Sequence, residues 1–306
     1  MTHRHAIGID LGGTAVKYGI CAEDGAIVAQ FERPSNARGT AAALLDVLAD
    51  AAREALAEAD RRGLAIAAIG LGTPGCVDVA RGFLRGNTPN FADWTGVPVR
   101  EELRARLDRR VTIDNDANMM AYGESRFGAG QGVDDLLCIT LGTGIGGGVI
   151  LGGRLFRGSR HAGGELGHIL VCDGEGGVDY WEKLASATAM ITRYNRLRPD
   201  DPVTSTRPIF EREARGEMAA REVVEREVRL VGIGLASLVN AFNPARVLVG
   251  GGVSEAGDAF VARIAAVVRD WAIEAARDGL EIRRARLGNK AGWLGAAALA
   301  LAESGE

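Results

Sequence analysis

Two aspartates at the ends of apolar runs, Asp10 and Asp116, and the pair Glu165 and His168 are the side chains of this 306-residue sequence whose types and settings suit chemistry. Between them lies Ile139-Thr-Leu-Gly-Thr-Gly-Ile-Gly-Gly-Gly-Val-Ile150, glycine-rich and bounded by two apolar runs that read as β-strands. A turn so poor in side chains lets backbone come close to a partner. Asn115 and Asp116 precede it, and Gly163-Gly-Glu-Leu-Gly-His168 follows it, so ionisable groups flank a backbone cradle suited to an anion.

The chain must build elements that hold these groups. Its hydrophobic share of 47% and charged share of 25% are those of a globular protein, and its length fits about two domains or lobes. The 43 glycines cluster in discrete motifs with no G-X-Y period, which reads as turns and close backbone approaches. A net charge of −4 and a pI near 5.7 speak against a nucleic-acid footprint and favour a small-molecule substrate. The four cysteines (Cys21, Cys76, Cys138, Cys172) show no C-x-x-C spacing. With no leader-like segment and no run of ~18 apolar residues, a reduced, cytoplasmic protein is expected.

Ala6 to Asp10 predicts a strand, Leu11-Gly-Gly-Thr14 a turn, and Ala15 to Cys21 a second strand. A Rossmann or P-loop glycine motif is followed by a helix whose N-terminus receives the phosphate; here a strand follows. A plain tight hairpin and a phosphate site are both compatible with it. Thr40 to Arg62 predicts an amphipathic helix ended by Gly63, and Ala65 to Leu71 a buried strand, the alternation of an α/β lobe. Asn87 to Trp94 is a polar loop, followed by a short helix near Val99 to Leu107. Val111 to Glu124 runs from strand into helix and puts Asp116 at or just before the first turn, either as an N-cap or as an ionised group at the carboxyl end of a strand.

The central glycine stretch repeats the N-terminal plan roughly 130 residues later, which predicts duplication into two α/β lobes. Trp181 to Leu197 reads as one helix beginning near Glu182, Arg198 to Arg207 as a loop, and Ala219 to Phe242 as a long helix. Ala245 to Ser254 is a third strand-plus-glycine element leading into a helix over Ala259 to Arg277. Leu280 to Leu287 predicts a strand, and Ala291 to Leu301 a final apolar helix returning to the first lobe.

Asp10-Leu-Gly-Gly-Thr14, Asn115-Asp116-Ala-Asn118, Leu141-Gly-Thr-Gly-Ile-Gly-Gly-Gly148, Gly164-Glu165-Leu-Gly-His168 and Val249-Gly-Gly-Gly-Val253 together resemble the ROK family of bacterial sugar kinases, in order and over essentially the whole chain. The resemblance implies a two-lobe hexokinase/actin-like fold, a duplicated ribonuclease H-like architecture with sugar in a central cleft. It implies a small lobe over 1–117 with the C-terminal helix, 291–306, packing back on it, and a large lobe over 118–290. By the same resemblance, Asp10, Gly12, Gly13 and Thr14 together with Gly142, Thr143, Gly144, Gly146 and Gly147 hold the phosphates of ATP, and Gly250, Gly251 and Gly252 the adenosine. Asn90, Asn115, Glu165, His168 and Glu182 bind sugar hydroxyls, with Asp116 as general base and Asp10 positioning Mg²⁺. Fixed donors and acceptors of this kind suit a hexose and reject analogues lacking the right hydroxyl.

The family commonly carries a C-x-C-G-x-x-G-C cluster that binds a structural zinc with the histidine of the G-H motif. The corresponding segment here, Cys172 to Glu182, has one cysteine, so no structural zinc is expected and His168 is read as a sugar ligand. The repressor members carry a helix-turn-helix domain ahead of the first hairpin; this chain reaches that hairpin by residue 10, so DNA binding is not expected. The implied function is transfer of the γ-phosphate of ATP to the 6-hydroxyl of a hexose, with glucose first because Glu182-Lys-Leu-Ala-Ser-Ala-Thr-Ala189 resembles glucokinase-type members. That activity belongs to carbohydrate metabolism and glycolysis. N-acetylmannosamine and N-acetylglucosamine kinases share the skeleton, some relatives lacking zinc use polyphosphate, and a sugar-binding sensor without turnover is the reading from another class. The family's habit implies a homodimer.

Overall fold

The computed structural model describes residues 4–88, 91, 93–172 and 176–305. The chain divides into two compact units, one comprising residues 1–132, 155–164 and 287–306, the other 133–154 and 165–286.

The first unit is built on a five-stranded sheet. Strands β1 (His5–Leu11), β2 (Ala15–Ala22) and β3 (Ile27–Pro34) form an antiparallel meander. Helix α1 (Ala41–Arg61) then crosses to β4 (Ile66–Thr73), which pairs parallel with β1. The helix starts where the Thr40 hydroxyl accepts the Ala43 N–H at 3.2 Å and stops before Gly63, whose φ of +67° is the left-handed conformation a glycine adopts without strain. A small hairpin, β5 (Cys76–Asp78) and β6 (Phe83–Gly86), and helix α2 (Val99–Leu107) lead to β7 (Val111–Asn115), parallel to β4, and to α3 (Asp116–Phe127). The sheet order is β3-β2-β1-β4-β7. Leu44, Leu48, Ala52 and Ala55 of α1 pack with Ile7, Ile9, Ile69 and Leu71 of the strands in a dry core.

The C-terminal helix, Ala291–Glu303, packs with Ala6 and Cys21 through Trp293, Leu294 and Ala297. It lies at backbone distance: a Cβ on Gly70 would run into the Ala296 carbonyl, and one on Gly295 into the Met119 carbonyl of α3. The lobe boundary expected between residues 117 and 118 would therefore cut α3 away from the helix it packs on; the first unit instead runs to residue 132.

The second unit repeats the plan. Strands β8 (Leu136–Leu141), β9 (Ile145–Leu151) and β10 (Arg154–Leu155) precede β11 (Leu170–Cys172) and β12 (Val178–Tyr180), which form a separate hairpin. The helices are α4 (Trp181–Leu184), α5 (Ala187–Leu197), α6 (Arg207–Ala214), α7 (Met218–Phe242), α8 (Asp258–Trp271) and α9 (Glu274–Arg277). Strands β13 (Arg246–Gly250) and β14 (Glu281–Arg284) complete a sheet of order β10-β9-β8-β13-β14. An antiparallel meander followed by two parallel strands is thus common to both sheets.

Two predicted helices divide. The single helix read over 181–197 is α4 and α5, because the Ser186 hydroxyl caps a new start by accepting the Ala189 N–H at 3.2 Å. The helix read over 259–277 is α8 and α9, broken where Ala272 and Ile273 turn extended. Helix α6 begins inside the predicted loop, with Pro208 in its first turn, where a missing N–H costs nothing.

Candidate active site

In the first unit, the turn after β1 closes with the Gly12 N–H donating to the Ala15 carbonyl at 2.9 Å. Ser35 secures the turn from the side: its hydroxyl donates to the Gly13 carbonyl at 3.0 Å and its N–H to the Thr14 carbonyl at 3.1 Å. Gly13 and Thr14 are exposed, and a Cβ on Gly13 would meet nothing. Asp10, opposite Lys17 in the hairpin register, rests its carboxyl group against Gly292 in the first turn of the C-terminal helix. Desolvation, reinforced by the nearby negative charge of Asp116 and opposed by Lys17, raises its pKa to about 7.

Asn115 is the N-cap of α3. Its side-chain oxygen accepts the N–H groups of Ala117 at 2.9 Å and Asn118 at 3.1 Å, and its amide donates to the Gly75 carbonyl at 3.1 Å. Asp116 is therefore the first helical residue, where the helix dipole favours a carboxylate, and its Oδ1 accepts the Ala117 N–H at 2.9 Å. The residue before the cap, Asp114, is buried and accepts from the Asn115 N–H at 2.7 Å, from Asn118 at 2.9 Å and from Arg157 Nε at 2.6 Å. Sequence reasoning passed over Asp114 and Arg157. The D-N-D run was a local signal for the first, whereas Arg157 reaches its partner only through tertiary structure. Asn90 lies outside the described residues; close by in sequence, Trp94 is fully buried and donates its indole N–H to Thr73 at 2.9 Å.

In the second unit, β8 turns into β9 through Gly142, Thr143 and Gly144, closed by the Gly142 N–H donating to the Gly144 carbonyl at 3.0 Å. The start of α5 holds this turn: the Ala187 N–H donates to the Gly142 carbonyl at 2.8 Å and the Thr188 hydroxyl to the Thr143 carbonyl at 2.7 Å. Gly146 and Gly147 lie in β9 itself. At Gly144 the Glu182 carboxylate lies against the turn, at the place a Cβ would take.

Glu182 also stands 3.4 Å from the Ile145 N–H, fixed by its neighbour Trp181, which is fully buried and donates to the Leu230 carbonyl at 2.9 Å. His168 ends a short 3₁₀ turn, with Nδ1 3.5 Å from Glu165 Oε2 and Nε2 3.9 Å from Glu182 Oε1. The Tyr180 ring meets the imidazole edge-on at 5.2 Å. Glu165 and His168, one motif in sequence, and the more distant Glu182 thus form one partly exposed cluster beside the Gly144 turn. Among the described residues no group of three or more His, Cys, Asp or Glu side chains is arranged to hold a metal ion.

Gly250 closes β13 in register with Thr140 of β8. Gly251 has φ +83° and sits on the Leu141 backbone, where a side chain would collide. Gly252 faces open space and starts a 3₁₀ turn, Gly252–Ala256, in which the Ser254 hydroxyl donates to the Gly251 carbonyl at 2.7 Å. The two predicted glycine elements of this unit are therefore adjacent, at the carboxyl ends of neighbouring parallel strands, where α/β sheets take ligands.

The sequence profile described as the ROK family matches residues 6–303. A glucokinase of Streptomyces coelicolor is 36% identical, covering 96% of this chain and 96% of its own. Among solved structures, the ROK hexokinase from Thermus thermophilus superposes with a TM-score of 0.84 at 38% identity, covering 98% of each chain. A ROK family glucokinase from Streptomyces griseus, solved in complex with glucose and AMPPNP, superposes with a TM-score of 0.82 at 35% identity, covering 97% of this chain and 99% of the other.

Proposed function

The chain belongs to the ROK family, and from that membership we propose that it is an ATP-dependent hexokinase of the glucokinase type, transferring the γ-phosphate of ATP to the 6-hydroxyl of glucose. The observation that carries this reading is the Glu165, His168 and Glu182 cluster beside the Gly142–Gly144 turn, in a chain similar over its whole length to a glucokinase solved with glucose and a nucleotide analogue. Carboxylates and an imidazole in fixed directions grip sugar hydroxyls, and open backbone N–H groups grip phosphates.

Each residue has a defined task. Glu165, His168 and Glu182 orient the sugar, with Asn90 and the remaining amide hydrogen of Asn115 as further donors. Gly12, Gly13 and Thr14 and the Gly142–Gly147 stretch hold the phosphates, and Gly250–Gly252 the adenosine. Asp116 accepts the proton of the attacking hydroxyl as its oxygen bonds to the γ-phosphorus and the bridging bond to ADP breaks. Asp10, near the end of β1 and within reach of the charge of Asp116, is the residue to hold a divalent cation such as Mg²⁺ directly or through water. When bound, that cation neutralises charge on the transferring group. We infer a cytoplasmic homodimer as the working form, which light scattering of the purified protein tests.

The deciding experiment measures ADP release across hexoses and N-acetylhexosamines. Glucose should give the highest kcat/KM, and Asp116→Asn should lower kcat by about 10²- to 10⁴-fold. Wild-type turnover in Asp116→Asn would remove the base assignment. Binding without ADP release from any sugar would make the protein a sensor.

A further inference from the structure

Within β10, after Arg154, the chain leaves the second unit, joins the first over residues 155–164, and returns to the second at Glu165. Within the first unit, contacts that hold this strap among the described residues include Arg157 Nε to Asp114 Oδ2 at 2.6 Å, the Cys76 thiol to the His161 carbonyl at 3.4 Å, and His161 Nε2 to Asp78 Oδ1 at 3.9 Å. Of the two acids Asp114 is the one beside the chemistry. Its side chain is 2% exposed, and its Oδ1 accepts both the Asn115 N–H and the Asn118 amide. It thereby ties the last residue of β7 to the first turn of α3, the corner from which Asp116 projects. Arg157 supplies the positive partner that this buried carboxylate takes up through Oδ2.

We propose that Arg157 is a positioning residue for the phosphoryl transfer: through Asp114 it fixes the β7–α3 corner and hence the aim of Asp116. The inference rests on Asp116 being the base. Arg157 touches neither reacting atom; its effect runs through the corner, and a small misplacement of a base costs rate more than binding. The strap continues directly into Glu165, so one short stretch of chain sets the base through Arg157 and supplies the first sugar ligand.

Purified Arg157→Ala, Arg157→Lys, Asp114→Asn and the Arg157→Ala/Asp114→Asn double variant are assayed for ADP release with glucose, beside Asp116→Asn. Arg157→Ala should lose about tenfold to a hundredfold in kcat with KM for ATP within about twofold, and Arg157→Lys should recover part of the loss. The double variant should fall no further than its worse single parent, because both changes break one unit. Wild-type kcat in Arg157→Ala, a loss confined to the sugar KM, no recovery in Arg157→Lys, or losses that multiply in the double variant would each overturn the inference. If Arg157→Ala does not fold, Arg157→Gln takes its place under the same criteria. Inactive Asp116→Asn beside a fully active Arg157→Ala defeats the inference alone, whereas a fully active Asp116→Asn defeats the base assignment itself.

Discussion

His168 stands between Glu165 and Glu182, its Nδ1 3.5 Å and its Nε2 3.9 Å from their carboxylates, so the three groups converge where the proposed function puts the sugar. A pocket of this kind discriminates by leaving its own polar atoms unpaired when a hydroxyl is missing. His168→Ala and Glu165→Gln should therefore each raise KM for glucose by about tenfold or more, while KM for ATP, measured in the same coupled assay, stays near the wild-type value. Asn115 stands apart from these residues. Its side-chain carbonyl caps α3 and its amide holds Gly75, so Asn115→Ala should cost the ~1 kcal/mol of stability typical of a lost cap, seen as a lower melting temperature, and should lower activity as well.

Among the elements, the β8–β9 turn and α7 show two kinds of constraint. A methyl group on Gly144 would collide with the end of a side chain, Glu182, which can move aside. Gly144→Ala should therefore displace Glu182, the proposed sugar ligand, lowering kcat/KM for glucose while the melting temperature changes little. In α7, Glu227 is fully buried, and among the described residues neither carboxylate oxygen has a hydrogen-bond partner. Burial, opposed by the charge of Arg193, raises its pKa from 4.5 to about 8. The folded protein holds this group neutral, so its contribution is complete below pH 4.5 and is lost as pH rises towards 8, where the unfolded chain gains by ionising. Glu227→Gln should raise the melting temperature more at pH 8 than at pH 5, and an equal shift at both would contradict the assignment.

For the whole molecule, each sheet must be closed by helices drawn from distant sequence. The first is covered by the C-terminal helix, seated so closely that Gly295→Ala should drive a methyl group into the Met119 carbonyl and cost about 1–3 kcal/mol or more. Calorimetry should show that loss as a lower melting temperature, and an unchanged value would contradict the packing. Glucose and AMPPNP at a hundred times their dissociation constants should each stabilise the protein by about 2.7 kcal/mol, the mass-action effect of any ligand confined to the folded state.

The glycine turns after β1 and β8 and the strand-to-helix step at Asp116 were legible in the sequence because their signals are local: apolar runs, small-residue turns, a cap. The repeat was legible as a repeat, since both hairpins use the same plan, and the two sheets share one strand order. The breaks at Ser186 and Ala272 were not, because an apolar period continues across them while caps and extended residues interrupt the backbone. Nor was the division of labour between Asn115 and Asp116, which differ by one step of helix geometry. Tertiary structure alone brought Glu182 to Gly144, laid Gly251 on Leu141 and joined Arg157 to Asp114. Sequence fixes what each segment is locally able to do, but which distant segments meet depends on sheet register and on the packing of buried surfaces.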